Sequence, residues 1–94
     1  MTPTQQTFDL SYSQVDKDLL RTFKTLTMID KLETFSSDDF RMYGLDRFLR
    51  DTQHGVGGFF AKMKHNKDAE PVGRKRSVLP SNNMREIRVW KWIE

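Results

Sequence analysis

The chain of 94 residues contains no cysteine and only two histidines. Without cysteine there are no disulfides and no thiolate metal sites, and the cytosol is the expected compartment. No apolar run approaches the roughly 20 residues that a membrane-spanning helix needs. The first ten residues also lack the basic and then apolar pattern of a secretory signal. We therefore expect a cytoplasmic protein that does not engage a membrane.

The side chains that often carry catalysis are not spaced for it. His54 and His65 are eleven residues apart, which is not a ligand spacing for one metal ion. Residues 55–58, GVGG, form neither a dinucleotide fingerprint nor a phosphate loop, because no Gly-Lys-Ser/Thr follows. The adjacent Asp38 and Asp39 diverge on a helix, and helix capping explains them better than acid–base chemistry. We expect no enzymatic activity, no metal and no small-molecule cofactor.

Positive charge is concentrated in the second half of the chain. Residues 1–53 hold 7 Lys/Arg and 9 Asp/Glu, a net charge of −2, whereas residues 54–94 hold 9 and 4, a net charge of +5. A length of 94 residues suits one domain with a single core. The asymmetry favours a polyanionic partner on one face of that domain. The alternative is a basic half that is simply solvated.

The first 32 residues predict an arm followed by a helix. Residues 1–11 are rich in Thr, Gln and Ser, so we expect a flexible arm ahead of a folded domain at 12–94. Ser13 is typical of a helix N-cap, with Asp16 three residues later completing a capping box. Apolar residues then recur at helical spacing and predict a first helix over residues 14–32.

A second helix is predicted over residues 37–51. Ser36 is placed as its N-cap, with two acidic residues in the first turn, where the helix dipole favours anions. Gly44 is expected to kink this helix or to split it. Its predicted buried residues are Phe40, Leu45, Phe48 and Leu49.

Residues 53–68 predict a third helix with one apolar side, made of Val56, Phe59, Phe60 and Met63. Small and hydrogen-bonding residues occupy the opposite side, which suits close approach to base edges in a major groove. These residues are His54, Gly58, Ala61, Lys62 and His65. Glycine disfavours a helix by about 1 kcal/mol relative to alanine. The alternative is therefore that residues 55–58 form a tight turn against the second helix.

The last quarter of the chain predicts two strands joined by a polar connector. Its cations are suited to a phosphate backbone: Arg74, Lys75, Arg76, Arg85 and Arg88. The connector residues Ser81, Asn82 and Asn83 are expected to reach sugar or the minor groove. The predicted DNA-binding set is completed by His54, Gly58, Lys62, His65 and Lys67. For each cation on the strands, the alternative is a solvated edge that blocks aggregation. Trp90 and Trp92 alternate along the second strand, which favours core packing over a dimer contact.

The predicted order of elements is that of a winged helix-turn-helix. Residues 34–35 can supply a brief third strand beside the hairpin, and three helices then pack over a small sheet. The predicted fold class is therefore α+β, mainly α, with three helices and a C-terminal β-hairpin wing. The central expectation is that the basic hairpin and the third helix share one accessible surface.

Three phrases resemble winged-helix domains of small proteins from phages and other mobile elements. A helix starts at FSSDD, residues 35–39, and the third helix contains Gly57, Phe60 and Lys62. The wing is bracketed by EPVGRKRS, residues 70–77, and REIRVW, residues 85–90. The resemblance covers residues 35–90 and departs from the pattern at residues 66–69, where related domains carry a glycine and an aliphatic pair.

The resemblance implies a double-stranded DNA-binding protein, a small regulator of transcription or a replication accessory. If the protein is viral, it would act in the cytoplasm of the host. Small winged-helix proteins often bind two half-sites as homodimers. In this chain the candidate dimer contacts are the first helix, the arm and the two tryptophans. The alternative is a protein-interaction module without DNA contact, favoured by the acidic residues Asp38, Asp39, Asp46 and Asp51. RNA binding is less favoured because no aromatic-rich sheet motif is present.

Overall fold

The computed structural model describes residues 10–49, 55–79 and 85–93. They contain three α-helices, a 3₁₀ helix and two strands, which are α1 (Gln14–Ile29), α2 (Ser37–Met42), the 3₁₀ helix Leu45–Leu49, α3 (Gly55–His65), β1 (Ala69–Arg76) and β2 (Glu86–Trp92). The predicted layout, mainly α with three helices followed by a hairpin, is confirmed. Among the helices in these ranges, none combines the length and the apolar character needed to cross a bilayer.

Helix α1 begins at the predicted capping box. The Ser13 hydroxyl accepts a hydrogen bond from the Asp16 amide at 3.1 Å, and the Asp16 carboxylate accepts one from the Ser13 amide at 2.9 Å. The helix ends at Ile29, before the predicted end at residue 32. The cause is Lys31, whose φ of 56° is left-handed and cannot continue a right-handed helix.

The predicted second helix is split at Gly44, whose φ of 75° favours glycine. Helix α2 precedes it and the 3₁₀ helix follows it. The prediction that Phe48 is buried is wrong, because the residue is 52% exposed. Its ring lies 4.9 Å from the Arg47 guanidinium. A 3₁₀ helix has three residues per turn, so it places this side chain differently from the predicted α-helix.

The hairpin pairs β1 and β2 antiparallel, with a register shift between Pro71 and Gly73. A single bridge joins it to residue 35, where the third strand was predicted. The Phe35 amide donates to the Trp90 carbonyl at 2.9 Å, and the Trp90 amide donates to the Phe35 carbonyl at 2.7 Å. The bridge fixes the start of α2 beside β2.

Aromatic rings form the centre of the core. Phe23 of α1 is fully buried, and its ring centroid lies 5.1 Å from those of Phe35 and Phe40 and 5.7 Å from that of Trp92. Trp90 is buried, and the Trp92 indole N–H donates to the Thr27 hydroxyl at 2.9 Å. Both tryptophans therefore serve the core, as the alternation along β2 predicts.

The start of the described chain lies along the end of α3. The Asn66 side-chain amide donates to the Leu10 carbonyl at 2.9 Å, and the Tyr12 hydroxyl donates to the Asp68 carboxylate at 2.5 Å. Residues 1–9 of the predicted arm lie outside the described residues. The part of the arm that is described is tied to the helix on which base-reading residues are predicted.

Candidate nucleic-acid interface

One face of α3 is open to solvent over its whole length. Gly57, Ala61, Lys64 and His65 are all exposed, and their spacing of four, three and one residues places them along one side of a helix. No heavy atom lies within 4 Å of the position that a Cβ on Gly57 would take. Packing therefore does not require glycine there, and the stripe combines two small residues with two that donate hydrogen bonds.

The hairpin presents Arg74 and Arg88 on the side that faces the helices. Trp90 is in the core, and side chains alternate along a strand, so Arg88 leaves β2 on the same side as Trp90. Arg74 is directly opposite Arg88 in the register, so it shares that side. Both arginines are exposed.

These arginines and α3 meet at a shallow depression. It has a volume of about 290 Å³ and is lined by Lys64 of α3, Pro71, Gly73 and Arg74 of β1, and Arg88 of β2. Three cations from three different elements therefore border one concave surface. Such an arrangement can hold an anion with several oxygens, such as a phosphate group.

A larger groove of about 630 Å³ adjoins the depression and shares Lys64 and Arg88 with it. Its helix side is formed by the exposed stripe of α3, and its floor by the buried rings of Phe60 and Trp90, whose centroids are 5.3 Å apart. The α3 stripe, the groove and the depression are thus continuous. We call this combined area the basic face, defined by Gly57, Ala61, Lys64, His65, Arg74 and Arg88.

Gly58 and Lys62 do not lie where the helical pattern predicts. Gly58 is buried, so its predicted position on an open face is wrong. Lys62 is half-buried and its ammonium group lies 2.6 Å from the Asp16 carboxylate of α1. The exposed arc of α3 is therefore displaced from Gly58 and Lys62 toward Gly57 and Lys64.

The ion pair between Lys62 and Asp16 is a structural contact between α3 and α1. Burial raises the pKa of Asp16, but hydrogen bonds from Lys62 and Ser13 outweigh burial, so the pKa lies below its ordinary value of 3.8. The carboxylate is consequently charged at neutral pH and holds the Lys62 ammonium group against α1. Lys62 is not part of the basic face.

The other predicted contact residues fall into two groups. Exposed residues are His65 and Lys67 near the end of α3, and Arg76, Arg85 and Lys75 on the hairpin. Lys75 alternates with Arg74, so its side chain leaves the opposite side of the hairpin.

Arg74 also forms an exposed ion pair with Glu86 at 3.1 Å, a contact that contributes little to stability. The predicted residues His54, Ser81, Asn82 and Asn83 lie outside the described residues.

Two of the acidic residues near the helices have internal partners. The Asp39 carboxylate accepts a hydrogen bond from the Ser36 amide at 2.8 Å and caps α2. Asp38 is 1% exposed and accepts hydrogen bonds from the hairpin end at Ser77 and Val78. Neither presents its charge as a free surface acid. Asp46 is half-buried, and Asp51 lies outside the described residues.

Sequence reasoning missed Lys64 and the contact between Asp38 and Ser77. Lys64 is adjacent in helical projection to Gly57 and Ala61, so a closer inspection of that flank of the helix could have found it. The Asp38–Ser77 contact joins residues 39 positions apart, and no local pattern signals it. Within the described ranges, no group of three or more His, Asp or Glu side chains is arranged to hold a metal ion.

Comparison with known proteins gives no guide to family. The chain matches no protein-family model, no curated protein and no solved structure. Functional inference therefore depends on the geometry of the basic face.

Proposed function

We propose that this chain is a winged helix-turn-helix protein that binds double-stranded DNA through the basic face. The observation that carries the proposal is the depression bordered by Lys64, Arg74 and Arg88, since three elements contribute a cation to one concave surface. The element order and the bridge between Phe35 and Trp90 support the winged-helix assignment. A small regulator or replication accessory of a phage or other mobile element is the proposed role.

In the proposed complex, α3 enters the major groove and the hairpin follows the phosphate backbone. Gly57 and Ala61 allow the helix to approach base edges closely, and the Ala61 methyl group suits contact with a thymine methyl. His65 is the candidate for hydrogen bonding to a base. Lys64, Arg74 and Arg88 contact phosphates at the boundary between helix and hairpin, which sets the position of α3 in the groove.

The cost of retaining glycine at position 57 supports this orientation. A glycine inside a helix is about 1 kcal/mol less favourable than alanine, and the space beside Gly57 is open. Internal packing therefore offers no compensation for this residue. Close approach of a ligand gives a physical reason for it.

The test is the salt dependence of duplex binding, measured by fluorescence anisotropy. The labelled duplexes include a random pool and a set of defined duplexes that differ in sequence. Each lost phosphate contact should lower the slope of log affinity against log salt by about 1. We expect this reduction for Lys64→Ala, Arg74→Ala and Arg88→Ala.

Lys75→Ala is the matched control for Arg74→Ala, because it removes one charge from the adjacent position on the opposite side of the hairpin. We expect it to change the slope less than Arg74→Ala does. Equal effects of the two variants would refute the proposed orientation. Salt-independent binding, or no binding to any duplex at low salt, would refute DNA binding itself.

The second candidate is a protein-interaction module. It is favoured by an apolar depression between α1 and the 3₁₀ helix, lined by Val15, Asp18, Leu19, Thr22, Leu45 and Phe48. Val15 and Phe48 are 49% and 52% exposed, and exposed apolar surface of this kind often marks a contact with another protein. Because Asp38 and Asp39 are engaged internally, this function would use the apolar depression rather than those acids.

A further inference from the structure

The hairpin is buried at both ends of its basic stretch. At the core end, Ala69 is fully buried. Residues 72–76 of β1 are then exposed without interruption, and Ser77, directly after the strand, is fully buried again. The cations of β1 therefore lie on a ribbon that is held at two points. The first point is the aromatic core.

The second point is a contact with Asp38 in the first turn of α2. The Ser77 hydroxyl donates to Asp38 Oδ1 at 2.7 Å, and the Val78 amide donates to Asp38 Oδ2 at 2.8 Å. The Ser77 hydroxyl also accepts a hydrogen bond from the Leu79 amide at 3.2 Å. Each oxygen of one buried carboxylate thus holds a separate group at the outer end of the hairpin.

This contact has the chemistry of a specific anchor. A carboxylate supplies acceptors on both oxygens, which an alcohol or an amide does not. A buried carboxylate is costly unless it is hydrogen-bonded, and the start of a helix favours negative charge. Contacts with residues 77–78 therefore contribute directly to the stability of the buried Asp38 carboxylate.

The anchor joins the hairpin to α2, which in turn packs on α3, the helix that is proposed to enter the groove. Helix α2 packs on α3, where the rings of Phe40 and Phe59 have centroids 5.1 Å apart. Asp38 precedes Phe40 by half a turn of the same helix. The outer end of the hairpin is consequently fixed to α3 through α2, independently of the core end.

We propose that Asp38 is a positioning residue that fixes the wing relative to α3, so that Arg74, Arg88 and Lys64 contact the DNA backbone together. This inference rests on the proposed function. Asp38 itself touches no DNA, because it is buried. Without it, the basic stretch remains paired as a hairpin, but its outer end loses two hydrogen bonds to α2.

The experiment compares Asp38→Ala with Asp39→Ala in the full chain. Both variants remove one acid from the first turn of α2, but Asp39 accepts from the Ser36 amide, whereas Asp38 accepts from the hairpin end. Hydrogen exchange of the Val78 amide reports on the anchor. Duplex affinity and its salt slope, measured on the same samples, report on the wing. Ser77→Ala is the milder variant if Asp38→Ala does not fold.

We expect Asp38→Ala to speed exchange at Val78 by about tenfold or more, the factor that follows from losing a hydrogen bond to a charged group. Its duplex affinity should fall by about tenfold as preorganisation is lost, with a shallower salt slope. Asp39→Ala loses a bond of the helix cap but none to the hairpin end, so it should change both readouts less. Equal affinities of the two variants, or unchanged exchange at Val78, would overturn the proposal. If wild type binds no duplex, the proposed function fails, and exchange alone decides whether Asp38 anchors the hairpin.

Discussion

Lys62 was predicted to contact DNA, but the structure pairs it with Asp16 of α1. Replacing Lys62 with methionine tests this structural role. The Lys62 ammonium lies 2.6 Å from the Asp16 carboxylate, and the two side chains are only 16% and 4% exposed. At an effective dielectric constant of about 20, the Coulomb attraction at this separation is about 6 kcal/mol. Desolvation costs several kcal/mol per ion and offsets most of it. The intact pair should therefore contribute little net stability.

The two single substitutions that break this ion pair should lower the free energy of unfolding by different amounts. Lys62→Met leaves Asp16 buried with only its Ser13 hydrogen bonds, and we expect a loss of about 2–3 kcal/mol. Asp16→Ala leaves a lysine whose flexible side chain can rotate into water, so the loss should be mainly that of the helix cap, about 1 kcal/mol. The double variant should then be more stable than Lys62→Met alone, with a coupling of about 1–3 kcal/mol.

Urea unfolding followed by tryptophan fluorescence measures these free energies, and anisotropy with duplex DNA measures binding in the same variants. Because the folded pKa of Asp16 lies below 3.8, the stability it contributes is present above the unfolded value and is lost as the pH falls through the folded value. The coupling should fade over that acidic range. A Lys62→Met variant of unchanged stability that loses a phosphate contact would refute the assignment of Lys62 to the structural pair.

Three further predictions concern the core, a tyrosine and the glycines. Phe23→Ala should lower the free energy of unfolding by about 3–5 kcal/mol, and a loss below 1 kcal/mol in thermal unfolding would contradict its central position. Burial and the hydrogen bond to Asp30 raise the pKa of Tyr43 to about 12, so its contribution to stability is complete below pH 10 and is lost as the pH rises through about 12. Phenolate absorbance should show this titration, and Tyr43→Phe should abolish it. Gly44→Ala should lower the free energy of unfolding by about 1–2 kcal/mol through left-handed backbone strain. Gly57→Ala should raise it by about 0.5–1 kcal/mol. Equal changes of the two variants in urea unfolding would contradict both predictions.

Local features of the fold could be predicted because they depend on neighbouring residues. The reciprocal hydrogen bonds of Ser13 and Asp16 follow from a spacing of three residues. The break at Gly44 follows from the ease with which glycine adopts positive φ. The alternation of Trp90 and Trp92 likewise determines which side of β2 meets the core. Each of these features is encoded within a few positions.

The basic face was harder to predict because it depends on contacts between distant residues. Hydrophobic periodicity cannot place Gly58, since glycine has no side chain to mark its side of the helix. Nor does spacing reveal that Asp16, 46 residues earlier, holds Lys62. Because Gly58 is buried and Lys62 is held against α1, the exposed side of α3 lies closer to Lys64 than the helical pattern predicts.

The most direct test of the central claim is an amide chemical-shift map recorded as duplex DNA is added to the labelled chain. The account predicts that shifts concentrate on the basic face, at Gly57, Ala61, Lys64, His65, Arg74 and Arg88, and that added salt reverses them. Shifts confined to Val15, Phe48 and their neighbours in the apolar depression, or no shifts at low salt, would contradict it.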